Sequence, residues 1–371
     1  MAKNNRAASG DSNGTRTVIA VRFSALGDVA MTIPVLYSAC MCHPATQFVM
    51  VTRKAFTGIF VNKPANLTVV GVDLADKRYN GPLGMRRLIA DLADKYRPGT
   101  FVDLHDVLRT KLMRLFCRLR GIRVASIDKG RAAKRALTRQ SGKKMQPLAS
   151  STERYLDTFA RAGIAVDLRF QSIFGPGRKG DPALYSAVAP AERPSGEKWV
   201  GIAPFAAHEG KIYPPEKMEQ VVDMLSNRGD TRIFIFGGGG REKEIAEAWE
   251  SKYPAVTSLC GKRLGFGVEL SLLSHLDAVV TMDSGNMHLA SVAGATTVSV
   301  WGATHPYCGF TGWRQSPDTM VQTQLPCRPC SVFGNRPCLR GDLACLNTIA
   351  PSQIYAKVAE IIDAGTQASG L

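Results

Sequence analysis

Apolar runs of strand length alternate with helix-length segments along this chain, and they do so in two separate series. In the first series TVIAVRF at 17–23, QFVMVT at 47–52, NLTVVGVD at 66–73, TFVDLH at 100–105 and RVASIDK at 123–129 read as strands. Residues 29–41 are apolar almost throughout, as in a buried helix. MRRLIADLADKY at 85–96 sets Leu88, Ile89, Leu92 and Ala93 on one helical face. Loop chemistry then interrupts the pattern, with FGPGRKGDP at 174–182 and APAERPSGEK at 189–198. The second series has strands at 199–205, 231–238, 277–282 and 296–302, and helices at 215–229, 241–253, 270–276 and 285–294. An amphipathic helix at 352–365 ends the pattern. A helix between consecutive strands returns the chain to its starting edge, so the strands must run parallel. The fold class is therefore α/β, with two doubly wound domains expected at 16–185 and 186–350 and a terminal helix within 351–371. The polar residues 1–15 read as a disordered tail. In such sheets ligands bind beyond the carboxyl ends of the strands, which puts a site in the cleft between the domains.

Bulk properties narrow the classes further. The 371 residues exceed one ordinary core and fit two, and 45% hydrophobic content is enough to fill them. No apolar stretch follows the first charges as in a signal peptide, and no run of about eighteen apolar residues occurs, so a cytoplasmic location is expected. The net charge is +16, and between Arg109 and Lys144 thirteen residues are Lys or Arg against one acid, Asp128. Such a field attracts phosphates of nucleic acid or of anionic lipid; the plainer alternative is a solvated helix face. Aromatic stacking platforms and nucleic-acid recognition motifs are lacking, so no nucleic-acid partner is expected.

Two segments share one layout. In VVTMDSGNMHLASVAGATTVSVWGATHP, 279–306, a strand runs into Asp283-Ser284-Gly285 and a helix starts at once. Its free N–H groups and positive dipole end suit a diphosphate; the alternative is a helix capped by Asp283 or Ser284. His288, one turn in, reads on its own as a core histidine. In VIAVRFSALGDVAMTIPVL, 18–36, a strand, the turn Ser24-Ala25-Leu26-Gly27 and Asp28 lead into a helix, and capping is again the simpler reading. Near the C-terminus Cys327, Cys330, Cys338 and Cys345 are spaced so that four thiolates could wrap one Zn²⁺; reduced structural cysteines or a redox-sensitive pair are the alternatives.

Together, VRFSALGDVAMTIPVL, APFAAHEGKIYPPEKM at 203–218, DSGNMHLASVAGATTVSVWGATHP and the C-terminal cysteine stretch resemble, in order and spacing, the signatures of glycosyltransferase family 9, the bacterial heptosyltransferases of the lipopolysaccharide inner core. The resemblance implies a GT-B fold, two Rossmann-like domains facing across a cleft, with the last helix crossing back onto the first domain. It implies an inverting transfer that needs no metal or other cofactor, ADP-heptose as the default donor, and an anionic lipid-linked saccharide acceptor. The protein would then be a monomer, peripheral at the inner face of the inner membrane. A silent nucleotide-sugar-binding protein of the same fold is the alternative.

Residue by residue, the resemblance makes Asp28 the base and Lys211 the phosphate-binding lysine. Ser284, Gly285, Asn286 and Met287 would offer backbone N–H groups to the leaving group. Asp283 would hold sugar hydroxyls, His288 becomes a donor-site residue, and Glu242 would read the ribose. Ser24 and Gly27, with Arg109, Lys111, Arg131, Lys134 and Arg135, would meet the acceptor. Three positions depart from the family pattern: Tyr213 where a tryptophan is common, Asn286 where an apolar residue is usual, and His305 where a carboxylate is usual.

Overall fold

The computed structural model describes residues 16–368; the tail expected over 1–15 lies outside the described residues. The first domain is built on β1 (Thr17–Val21), β2 (Gln47–Arg53), β3 (Leu67–Val72), β4 (Thr100–Asp103) and β5 (Arg123–Ser126). All pairs are parallel, in the order β3-β2-β1-β4-β5. Its helices are α1 (Leu26–Ala30), α2 (Thr32–Cys42), α3 (Gly81–Tyr96), α4 (Leu108–Arg118), α5 (Arg131–Leu137) and α6 (Ser151–Arg161). Alternate strand residues feed two cores. Val18, Ala20, Phe48, Met50 and Val102 meet α2 and α6, while Ile19, Val21, Val49, Val51 and Phe101 meet α3 and α4. The first part of the basic stretch is folded as helix α4, with Thr110, Met113 and Cys117 supplying its buried face.

The second domain carries β6 (Lys198–Ala203), β7 (Thr231–Ile235), β8 (Val256–Ser258), β9 (Ala278–Met282), β10 (Thr297–Trp301) and β11 (Met320–Gln322). These strands are also all parallel, in the order β11-β10-β9-β6-β7-β8. The two edge strands have three residues each, too few to show an alternating pattern in the sequence. Its helices are α7 (Pro215–Ser226), α8 (Arg241–Lys252), α9 (Phe266–His275), α10 (Gly285–Ala293), α11 (Ala344–Asn347) and α12 (Pro351–Ala368).

Two expectations need correction. The helix expected from residue 29 begins at Leu26 and is interrupted at Met31, which makes Asp28 the third helical residue rather than the cap. Among the described residues the terminal helix packs on the second domain, not back onto the first as expected. Ile354, Val358 and Ile362 of α12 are buried in the core of the second domain, against α7, β9 and β10. That core offers an apolar groove beside the sheet, which the stripe of α12 fills.

The domains are not separate cores on a tether. A single apolar layer runs from α2 and α6 through Ile164, Phe170 and Ile173 into Trp199, α9 and α10. The linker docks as it crosses: Ile173 N–H donates to the Val292 carbonyl, Gly180 N–H donates to Ser274 Oγ, and Tyr185 packs edge-on against Trp199.

Candidate active site

Both sheets reverse their strand order at one point, between β1 and β4 in the first and between β6 and β9 in the second. The loops that leave those strands diverge there and open a crevice. In this protein the two crevices face each other. They form one cleft of about 390 Å³, floored by Ser24, Gly27, Asp28 and His105 on one side and by Lys211, Asp283, Ser284, Gly285 and His288 on the other.

The contact between the walls is made by two short-looped helices, α1 and α10. Glycine permits it. A Cβ on Gly27 would lie 2.3 Å from His288 Cδ2, and one on Gly285 would lie 3.3 Å from Leu26 Cδ2. The His288 ring is therefore sandwiched between the domains. Burial disfavours its charged form, and Lys211 adds to this, so its pKa is lowered despite Asp283 and Asp28 nearby; the ring is neutral at pH 7.

Asp28 hangs from the first turn of α1. Its Oδ2 lies 2.6 Å from Arg22 Nη2 and accepts from Ala25 N–H at 3.3 Å, so it closes its own turn while 27% of its side chain remains exposed. Burial opposes the carboxylate charge, but the Arg22 guanidinium more than offsets it, and the pKa of Asp28 is lowered. Arg22 directly follows the buried strand β1 and is held in turn: Nη1 donates to the Leu104 carbonyl, and the guanidinium sits 5.8 Å from the centre of the Tyr155 ring. Tyr155 Oη donates to the Asp28 carbonyl. His105 completes this wall. Its Nδ1 accepts from Phe23 N–H and its Nε2 lies 3.3 Å from Ser24 Oγ. Burial, with Arg22 and Lys129, pushes its pKa down to about 3.

On the opposite wall Lys211 Nζ pairs with Asp283 Oδ2 at 2.8 Å, with the two side chains 14% and 4% exposed. Gly334 makes the room, since a Cβ there would lie 2.6 Å from Lys211 Cγ. The capping alternative for α10 does not hold: Ser284 is the N-cap residue, yet no side chain caps the helix. The first amides of α10 keep their donors, and among the described residues Ser284 Oγ and His288 Nδ1 have no hydrogen-bond partner. A helix N-terminus with uncapped amides, a hydroxyl and a lysine is a set of donors shaped for an anion.

A cationic rim closes the cleft. Lys134 lies 4.3 Å above the Phe310 ring, and burial, helped by Arg154, lowers its pKa to about 8. Lys129 and Arg154 stand beside it in the cleft. Of the sequence-derived candidates, the cleft contains Ser24, Gly27, Asp28, Lys134, Lys211, Asp283, Ser284, Gly285 and His288. Asn286 and Met287 contribute no side chain to it, and Met287 is fully buried. Arg109, Lys111, Arg131 and Arg135 stand outside it; Arg131 pairs with Asp106 at 2.6 Å. Glu242 lies at the start of α8, where its carboxylate accepts from Gly238 N–H at 2.6 Å. Arg22, His105, Lys129, Arg154 and Tyr155 were not singled out from the sequence. Of these only Arg22 carried a signal there, as a lone cation at the end of an apolar strand.

Two of the unusual positions lie away from the cleft. Tyr213 is fully buried, its Oη donating to the Ile349 carbonyl. His305 accepts from Tyr307 N–H at 3.1 Å and stacks edge-on with that ring. The four C-terminal cysteines line a separate hollow of about 370 Å³. Among the described residues no group of three or more His, Cys, Asp or Glu side chains is placed to hold a metal ion.

The model of glycosyltransferase family 9 (heptosyltransferase) matches residues 116–337. Lipopolysaccharide heptosyltransferase 1 of Pseudomonas aeruginosa is 25% identical over 323 residues, 84% of this chain and 85% of the relative. Among solved structures, a family 9 glycosyl transferase from Veillonella parvula superposes with a TM-score of 0.68 at 15% identity, covering 94% of this chain and 97% of its own. The E. coli ADP-heptose LPS heptosyltransferase II superposes with a TM-score of 0.65 at 16% identity, covering 94% and 99%.

Proposed function

Because this chain belongs to glycosyltransferase family 9, we propose that it transfers a heptose-like sugar, with inversion and without a metal at the reacting centre, from ADP-heptose to a lipid-linked lipopolysaccharide core. One observation carries this reading. A carboxylate from one domain and an anion-binding helix start with a lysine from the other share a single cleft.

The chemistry follows from those positions. Breaking the bond between sugar and diphosphate leaves negative charge on the leaving group. The α10 amides, Ser284 Oγ and Lys211 are preorganised to receive it, which is the work a metal ion would otherwise do. Lys211 can turn from Asp283 to the phosphate as Asp283 accepts a sugar hydroxyl. β9, β6 and β7 are consecutive neighbours in the sheet, so the loops that follow them lie side by side, and the nucleoside extends from Ser284 toward Gly238 and Glu242. Asp28 takes the acceptor proton. Held ionised by Arg22, it is a weak base. That suffices when the proton moves late, after the anomeric carbon has gained cationic character and made the hydroxyl acidic. Lys129, Lys134 and Arg154 meet the anionic groups of the acceptor. A silent nucleotide-sugar binder would have no use for an ionised carboxylate on the wall facing the donor.

Among the described residues no helix is long and apolar enough to cross a membrane. In this reading the protein meets its lipid-linked acceptor at the cytoplasmic face, as a peripheral monomer. The test is Asp28→Ala. We expect ADP binding by calorimetry to persist and heptose transfer to fall by about 10²–10⁴-fold, the usual contribution of a general base. Undiminished transfer removes Asp28 from the mechanism.

A further inference from the structure

The outward face of α4 is built against the usual rule for a surface helix. Thr110, Met113 and Cys117 point into the core, so the opposite side faces solvent and ought to be polar. It carries leucines instead: Leu108 is 77% exposed, Leu115 48% and Leu119, the C-cap residue, 73%. At about 100° per residue these three fall within about 40° of one another, directly opposite the buried face. Lys111 and Arg118 flank this ridge on one side, Arg109 and Arg120 on the other. From Leu108 to Arg120 the chain has five basic residues and no acid. Only Arg114 is turned inward, to Asp103 and Asp106. The neighbouring helix α3 adds a further leucine, Leu83, with Arg86 and Arg87 exposed beside it.

An apolar ridge between two rows of cations matches one partner in both its parts. Leucines enter the acyl boundary of a bilayer while the flanking Lys and Arg side chains reach up to anionic headgroups. A protein partner would satisfy the ridge but leaves both cationic rows to be matched; a polyanion in solution satisfies the cations but not the leucines. We infer that α4 is the membrane-docking helix of this protein, seated on an anionic lipid surface through Leu108, Leu115 and Leu119. Its start lies three residues after His105, which lines the cleft. Docking there holds the mouth of the acceptor site at headgroup level. The inference rests on the proposed lipid-linked acceptor, and it specifies the face through which that acceptor is approached.

The experiment is flotation of the full chain with vesicles of phosphatidylethanolamine and phosphatidylglycerol, against phosphatidylcholine vesicles, at about 0.15 M salt. The parent should float with the anionic vesicles. The triple variant Leu108→Ser/Leu115→Ser/Leu119→Ser should lose about tenfold or more in partitioning, and Arg118→Glu/Arg120→Glu should lose a comparable amount. An unchanged thermal shift with ADP verifies that each variant is folded. In Leu115→Trp, anionic vesicles should move the new emission to shorter wavelength. A parent that does not float, or a triple variant that floats like the parent, overturns the inference. So does a parent that is dimeric in solution and becomes monomeric in the triple variant with flotation unchanged, since the ridge would then join two copies of this chain. Asp28→Ala should float like the parent. If that variant also retained transfer, the catalytic reading would fail and the docking face would stand.

Discussion

Asp28 illustrates how much one neighbour decides. Burial alone would push its pKa up, and Arg22 at 2.6 Å reverses the sign. Replacing Arg22 by Met leaves burial opposed only by the weaker effects of His288 and the Ala25 N–H, so the Asp28 pKa should rise. The acid limb of kcat/KM should move to higher pH with it, and Arg22→Lys should restore the limb. An unmoved limb in Arg22→Met would show that Arg22 does not set the ionisation of the base. On the alkaline side Lys134, lowered to about 8, is charged below that pH and neutral above it. kcat/KM for an anionic acceptor should therefore decline above about pH 8, and Lys134→Arg should carry the decline upward, because a guanidinium stays charged. A decline that stays in place clears Lys134 of that role. Asp28, Lys211 and Asp283 were legible through the resemblance to family signatures; their place shortly after apolar strands was in itself equally consistent with helix capping or a loop. Lys129 and Arg154 were not legible. Each is one cation among many until folding brings it to the cleft.

At the scale of elements, the contact of α1 with α10 joins the two half-sites. It depends on Gly27 having no side chain. Gly27→Ala places a methyl 2.3 Å from the His288 ring, and the ring is enclosed by the second domain, so α1 must withdraw. Overpacking of this kind costs about 1–3 kcal/mol. Misplacing Asp28 relative to the donor should lower kcat by about tenfold or more, while ADP affinity by calorimetry stays near the parent value because Lys211 and the α10 amides keep their places. Equal kcat in parent and variant would show that the helices do not need this approach. The long amphipathic elements were legible before the structure, including α3 and the stripe of α12. Where α12 packs was not, since a stripe states that a face is buried and not which domain buries it.

Across the whole molecule, one apolar layer couples the domains through Phe170, Ile173, Tyr185 and Trp199. Domains that share a core unfold together. Calorimetry should show one transition, and saturating ADP should raise it as a unit, by about 2.7 kcal/mol at a hundredfold excess over Kd. Two separable transitions, with ADP moving only one, would mean that the shared layer does not bind the halves into one cooperative unit. Two doubly wound sheets followed from the order of strands and helices, since parallel strands need crossovers and crossovers need that alternation. The strand–turn–helix layout likewise put the first turns of α1 and α10 at the carboxyl ends of buried strands, because a helix that starts there has nowhere else to present its first turn. Three-dimensional packing alone decided the rest. It brought residue 27 against residue 288, set Arg22 against burial at Asp28, and left the leucines of α4 facing outward. Those outcomes depend on distances between segments far apart in the chain, which local pattern and spacing do not encode.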